Sequence, residues 1–292
     1  GQTIPNLVIV PVTNGKVDLY NGSSGTVDLL ADITGYYSAN GKGSVLTAVG
    51  PSRILDTRSG LGAAKARVGA RKTVKLTVAG VAGVPSSGVT AVAMNVTEVS
   101  PTKPGFITAY PDGGKLPTVS NLNFSAGQTI PNLVIVPVTN GKVDLYNGSS
   151  GTVDLLADIT GYYSANGSFF QTAGPVRAMD TRSGLGGAGG AVASHGAAGL
   201  DVMDLPGTPL PGTVTAVVLN VTVTGSTKPG FLTVFPDSQT LPTVSNLNFG
   251  AGQTVSNLVV VPVIDGRIDF YDGTSGTVQV IADLDGYYYT TT

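Results

Sequence analysis

Residues 1–41 and 127–167 are the same sequence, GQTIPNLVIVPVTNGKVDLYNGSSGTVDLLADITGYYSANG, and a diverged copy occupies 252–292. A repeat of this fidelity settles the architecture before any motif does, because each copy must fold by the same rules. It also constrains function: a site general to the protein has to recur in every copy.

The stretches between the copies repeat as well. PSRILDTRSGLG at 51–62 answers PVRAMDTRSGLG at 175–186, VTAVAMNVTEV at 89–99 answers VTAVVLNVTVT at 214–224, and LPTVSNLNFSAGQT at 116–129 answers LPTVSNLNFGAGQT at 241–254. The chain therefore alternates a long segment of roughly 85 residues with a short one, and holds three short segments to two long ones. Units can be framed with the short segment leading or trailing. We take the trailing frame, because the last copy closes just after Gly-Tyr-Tyr. The expected domains are 43–167 and 168–292, with 1–41 as the C-terminal half of a preceding repeat. A piece that small rarely carries a core of its own. The sequence opens inside a repeat, so an export signal is expected to lie outside it.

Apolar residues fall in short β-branched runs without helical spacing. Strands are predicted at Arg53–Asp56, Thr73–Val78, Ala91–Val99, Phe106–Tyr110, Asn121–Phe124, Asn132–Val138, Val143–Tyr146 and Thr152–Asp158, with counterparts in the last unit. Asn140-Gly141 and Asp265-Gly266 are two-residue hairpin signals. Eight or so short strands per unit predict an all-β fold: tandem antiparallel β-sandwiches of jelly-roll type, with a barrel as the alternative.

The bulk numbers exclude several functions. A net charge of −2 with only 12% charged residues does not suit a nucleic-acid partner. The longest apolar runs are far too short for a membrane-spanning helix. The chain has no cysteine and one histidine, His195, in a Gly/Ala-rich loop of one unit. That removes the usual activated nucleophiles and most metal sites, so no catalytic residue, metal or cofactor is expected.

Two sets of residues recur. The first is Arg53, Asp56 and Arg58, matched by Arg177, Asp180 and Arg182. Two arginines and an aspartate can grip an anionic sugar. The structural alternative is an ion-pair network completed by Asp158 and Asp283, which sit inside apolar strands and need partners there. We expect the network: Arg53 or Arg58 on Asp158, Arg177 or Arg182 on Asp283. The second set is Tyr163 and Tyr288 with Asn121, Asn123, Asn246 and Asn248. Tyrosine rings stack on sugars and amides bond hydroxyls, while the bland reading is a core anchor, an inter-unit contact and strand-end capping.

Four motifs run in fixed order: Arg53-x-x-Asp56-Thr57-Arg58-x-Gly60-x-Gly62, Ala91-Val92-x-x-Asn95-Val96-Thr97, Ser120-Asn121-x-Asn123 and Ala157-Asp158-x-x-Gly161-Tyr162-Tyr163. This pattern resembles a repeat of secreted actinobacterial and related bacterial surface proteins, and it spans essentially the whole chain. The resemblance implies export and an accessory, non-enzymatic role, in arrays or beside secreted hydrolase domains. The expected function is a structural stalk, fibre or surface array whose partners are neighbouring copies, in cis or in a homopolymer. The alternative is a carbohydrate-binding module for cell-wall or environmental polysaccharide.

Overall fold

In the computed structural model, which describes residues 2–187, 189–205 and 212–291, strands carry nearly all the regular structure. The first unit contains β1 (Val45–Asp56), β2 (Thr73–Thr77), β3 (Ala91–Val99), β4 (Gly105–Pro111), β5 (Leu122–Phe124), β6 (Thr129–Pro137), β7 (Lys142–Asn147) and β8 (Asp154–Ser164). The second contains β9 (Phe169–Asp180), β10 (Ala197–Asp201), β11 (Val214–Thr224), β12 (Gly230–Pro236), β13 (Leu247–Phe249), β14 (Val255–Pro262), β15 (Arg267–Asp272) and β16 (Gln279–Tyr289).

Each unit is a sandwich of two antiparallel four-stranded sheets. In the first they run β1-β8-β3-β6 and β2-β7-β4-β5; in the second, β9-β16-β11-β14 and β10-β15-β12-β13. With strands numbered in chain order within each unit, this is the order of an eight-stranded jelly roll, the type of sandwich expected from the sequence. The interleaving decides what each segment can do alone. Strand β8, from a short segment, lies between β1 and β3 of the long segment, and β7 lies between β2 and β4. The three strands of a short segment do not pair with one another across a sheet. They need the long segment's strands between them.

The two sheets of a sandwich differ in sequence pattern because they differ in surroundings. Strand β15 alternates, with Ile268 and Phe270 inward and Arg267 outward, since its outer face meets solvent. Strand β8 is buried almost throughout, because the β1-β8-β3-β6 sheet is covered on both faces. One face packs on the core of its own unit, where Leu55, Met94, Val134, Leu145 and Ile159 meet. The other packs on the neighbouring unit through Leu46, Ala93, Leu133 and Tyr163 against Ala216, Val218, Leu258, Val260 and Tyr288.

Residues 2–41 are the exception. They carry the sequence of β6, β7 and β8, yet these described residues form no strand, only an isolated bridge from Thr13 to Lys16 at the hairpin tip. Val134, Val143, Leu155 and Ile159 are at most 1% exposed, while the identical Val8, Val17, Leu29 and Ile33 are 46–92% exposed.

Candidate functional site

The recurring Arg-x-x-Asp-Thr-Arg-x-Gly-x-Gly motif builds a loop. After β1 the chain turns back, so that the carbonyl of Asp56 accepts from the N–H groups of Ser59, Gly60 and Leu61. The Asp56 carboxylate accepts from Arg58 at the backbone N–H (2.9 Å), Nε (2.9 Å) and Nη2 (2.8 Å). These bonds hold the Asp56 carboxyl below its usual range. Gly62 closes the loop at φ +69°, where an added Cβ would lie 2.1 Å from the Ile54 carbonyl oxygen, so only glycine fits. Asp180, Arg182 and Gly186 repeat the arrangement in the second unit, and Arg182 drives the Asp180 carboxyl down to about 2.

Arg53, on β1 just ahead of this loop, donates to Asp158 on β8, Nε to Oδ1 at 2.7 Å and Nη2 to Oδ2 at 3.1 Å. The Asp158 side chain is 1% exposed, and burial is the main influence on its carboxyl, pushing it up against the opposing pull of Arg53. Arg177 donates to Asp283 and also to Asp180 at 3.1 Å. Here the partners are more open, with 42% of the Arg177 side chain and 23% of the Asp283 side chain exposed. The arginines and aspartates of both units are thus engaged with one another, in a geometry that ties β1 to β8 and β9 to β16.

The tyrosines and asparagines lie where the copies meet. The hydroxyls of Tyr37, Tyr163 and Tyr288 form a triangle, with sides of 2.7 Å (Tyr37–Tyr163), 2.9 Å (Tyr163–Tyr288) and 2.5 Å (Tyr37–Tyr288). Three hydroxyls in a ring can each donate once and accept once, which satisfies all of them in a buried place. Burial raises all three phenols, Tyr163 and Tyr288 well above the usual value. Mutual contact of all three copies requires a common axis. In a linear stack the first and third copies would not touch.

Asparagines stitch the seams beside this axis. Asn257 donates to the Asn95 side chain (2.8 Å) and to the Asn246 carbonyl (2.8 Å), and accepts from the N–H of Leu133 (3.0 Å) on the edge strand β6. Asn95 in turn donates to the Ser245 carbonyl (2.8 Å). An edge strand with free N–H groups is a pairing hazard, and Asn257 caps one of them. Asn6, the same position in the first copy, repeats the stitch one step round: it donates to Asn220 (3.1 Å) and accepts from the N–H of Leu258 (3.3 Å). Tyr37 packs on Phe170 at 4.3 Å between ring centres, and Leu7 and Ile9 join the same apolar cluster. The pairwise contacts therefore follow a pseudo-threefold arrangement.

Of the residues considered for sugar binding, Tyr163 is 7% and Tyr288 1% exposed, so neither offers a stacking face. Asn121 and Asn246 accept from the N–H groups of Ala109 and Val234, each at 2.7 Å, and hold β5 and β13 in place. Asn123 and Asn248 donate to Ser120 and Ser245 at 3.0 and 3.1 Å. Both also line an open cleft of about 1140 Å³ with Gln2, Gln128 and Gln253. Ala91 pairs with Pro137 and Tyr163, whereas Val99 pairs with Thr129. The cleft, lined by Thr129, accordingly lies at the opposite end of the axis from the tyrosines.

Some buried acids occur in one unit alone, among them Glu98. Glu98 on β3 is fully buried, accepts from the N–H of Ile130 (3.0 Å) through Oε1, and leaves Oε2 without a partner. Desolvation drives its carboxyl up to about 8. The second unit has Val223 there. Comparison of the two units carries the signal: a glutamate stands where the other unit has a valine in an alternating strand. Among the described residues no group of acids, histidines or cysteines could hold a metal ion, and no helix is long and apolar enough to cross a membrane.

No protein-family model and no curated protein matches this chain. Among solved structures, the N-terminal CBM22-1-CBM22-2 tandem domain of Paenibacillus barcinonensis Xyn10C overlaps 84% of this chain and 99% of its own, at 11% identity and a TM-score of 0.23.

Proposed function

We propose that this chain is a non-enzymatic structural module of a secreted or cell-surface protein, and that its work is to gather jelly-roll repeats around a shared axis. One observation carries the reading. The polar side chains that recur as motifs are engaged in building the loop after the first strand, pairing strands, or stitching one copy to the next. A stalk or surface array assembled from copies in cis follows from such contacts. The axis makes the copies close in a group, where a purely linear rod would use end-to-end contacts.

The test is the coupling between units. Replacing Tyr288→Phe together with Asn257→Ala removes hydrogen bonds from the triangle and the seam, and one within the second unit to the Asn246 carbonyl, while the apolar side chains of both cores stay in place. Each lost bond costs about 1–2 kcal/mol. Calorimetry should then resolve two unfolding transitions in place of one shared transition. Coupling should also fade above pH 10, because the folded state holds the phenols protonated while the unfolded chain releases its protons near 10. A double variant that melts as the parent does would remove the axis from the account.

The cleft supports a second reading, a polysaccharide site rimmed by Asn123, Gln128, Asn248 and Gln253. Co-sedimentation with insoluble xylan, cellulose and cell-wall preparations tests it. Retention that Asn248→Ala and Gln253→Ala abolish would favour sugar binding over the scaffold.

A further inference from the structure

We infer that residues 2–41 are a docking half-domain, whose occupant is a free long segment of this same repeat type, one not already closed by a short segment of its own. The inference rests on the scaffold reading above and names the scaffold's missing part.

Two identical sequences stand in two states. In residues 127–167 the apolar positions are covered by β1 to β5 of the long segment before them. In the first copy, Val8 (60% exposed), Val10 (43%), Leu29 (60%), Leu30 (86%) and Ile33 (92%) have no cover, although Val134, Val136, Leu155, Leu156 and Ile159 are at most 4% exposed. Exposed apolar surface on that scale marks an interaction face.

The topology specifies what fits. Strands equivalent to β6 and β8 are separated in the finished sandwich by β3, and β8 is flanked on its other side by β1. A single peptide strand would leave the rest open. The occupant must deliver five strands to both sheets in the jelly-roll order. It must also bring a cation: Asp32 stands where Asp158 and Asp283 receive Arg53 and Arg177, and Asp28 stands where Asp154 meets Arg67 at 3.2 Å. A long segment meets both conditions. A second copy of this chain meets them poorly, because both its long segments are already paired along β8 and β16 on two sides.

The half-domain is also poised to receive it. Its hairpin turn has Asn14 at φ 51° and Gly15 at φ 72°, close to Asn140 at 54° and Gly141 at 69°. Its second turn keeps the Asn21-to-Gly25 bond at 2.8 Å, matching Asn147 to Gly151 at 2.9 Å. The axis and one seam are already made through Tyr37 and Asn6. The third seam is open: the only seam-type bond of Asn132 among the described residues is to the Asn121 carbonyl of its own unit, at 2.7 Å. The occupant would supply the residue that plays Asn95 to Asn132.

Hydrogen exchange by mass spectrometry provides the test, because peptides from 1–41 and 127–167 have the same mass. The 292-residue chain should give two envelopes for each such peptide, one protected and one fast. A chain extended by a further copy of residues 42–126 ahead of residue 1 should give a single protected envelope, with the fast population slowed by at least roughly 100-fold. Arg53→Asp in the added copy alone should restore the fast envelope. Persistence of two envelopes in the extended chain overturns the inference. If the extended chain misfolds, so that the protected envelope is lost too, the separate polypeptide 42–126 added to the intact 292-residue chain decides: disappearance of the fast envelope supports the inference, and its survival overturns it. A 292-residue chain that is dimeric by sedimentation and shows one protected envelope unaided names a second copy as occupant and also overturns it. None of these outcomes depends on the Tyr288→Phe and Asn257→Ala experiment, so scaffold and occupant can fail separately.

Discussion

Replacing Glu98→Val should stabilise the protein by about 4 kcal/mol at pH 8.5 and change it little at pH 4. Glu98 is fully buried, and its carboxyl is pushed up to about 8 by desolvation, from 4.5 in the unfolded chain. The folded state therefore holds a proton that the unfolded state gives up. The Glu98 contribution to stability is greatest below pH 4.5, falls as the pH rises through the interval from 4.5 to 8, and levels off above it, where the carboxylate is buried with one oxygen unpaired. Valine occupies the same place on β11 as Val223, inside the second unit's core, so the replacement has a precedent in the same fold. Glu98→Gln should keep the acceptor for the Ile130 N–H and abolish the slope. Urea unfolding across pH 4–9 measures both variants. A wild-type stability that is flat between pH 5 and 8 would show that Glu98 ionises freely.

Arg53→Ala should cost about 3–5 kcal/mol, and Arg177→Ala about 1–2 kcal/mol, although the two arginines hold the same place in the motif. The difference lies in the partner each leaves behind. Asp158 is 1% exposed at the side chain and would be stranded without a cation between β1 and β3. Asp283 is 23% exposed and can recover water. The cost of Arg53→Ala should shrink as the pH falls, since Asp158 is already pushed up by burial and a protonated carboxyl no longer needs a cation. Equal losses for the two variants would place the effect in packing of the arginine stems. Thermal unfolding of both at pH 4 and pH 7.5 separates the cases.

The fold was largely legible in the sequence because turn chemistry and β-branched runs are local. Ala91–Val99 is a strand with those same bounds, and both units are the antiparallel sandwiches expected, in a strand order that the sequence does not state. The long strands were harder. Strand β1 begins at Val45, well before Arg53, since its first half crosses Gly50 and Pro51, which read as a break in sequence. At the candidate site, the residue types were visible and their spatial grouping was not. Tyr37, Tyr163 and Tyr288 lie more than a hundred residues apart, and nothing in their spacing states that they share one axis. The nearly continuous burial of β8 shows the second partner, since a strand covered on both faces needs one beyond its own sandwich, but Asp158 and Thr160 interrupt its apolar sequence and hide that from a reading of the chain.

The two identical copies divide what sequence determines from what the tertiary structure decides. Residues 2–41 and 128–167 share their turns: the same left-handed Asn-Gly pair and the same asparagine-bridged loop. Those features are satisfied by bonds within a few residues, so sequence alone sets them. The strands are not. In 128–167 the backbone groups pair with β1, β2, β3 and β4, and the apolar side chains meet a second sheet. In residues 2–41 the same groups have no such partners, and Ile33 stands 92% exposed where Ile159 is fully buried. A β-strand is completed by its neighbours, because its hydrogen bonds and its burial both lie outside the segment.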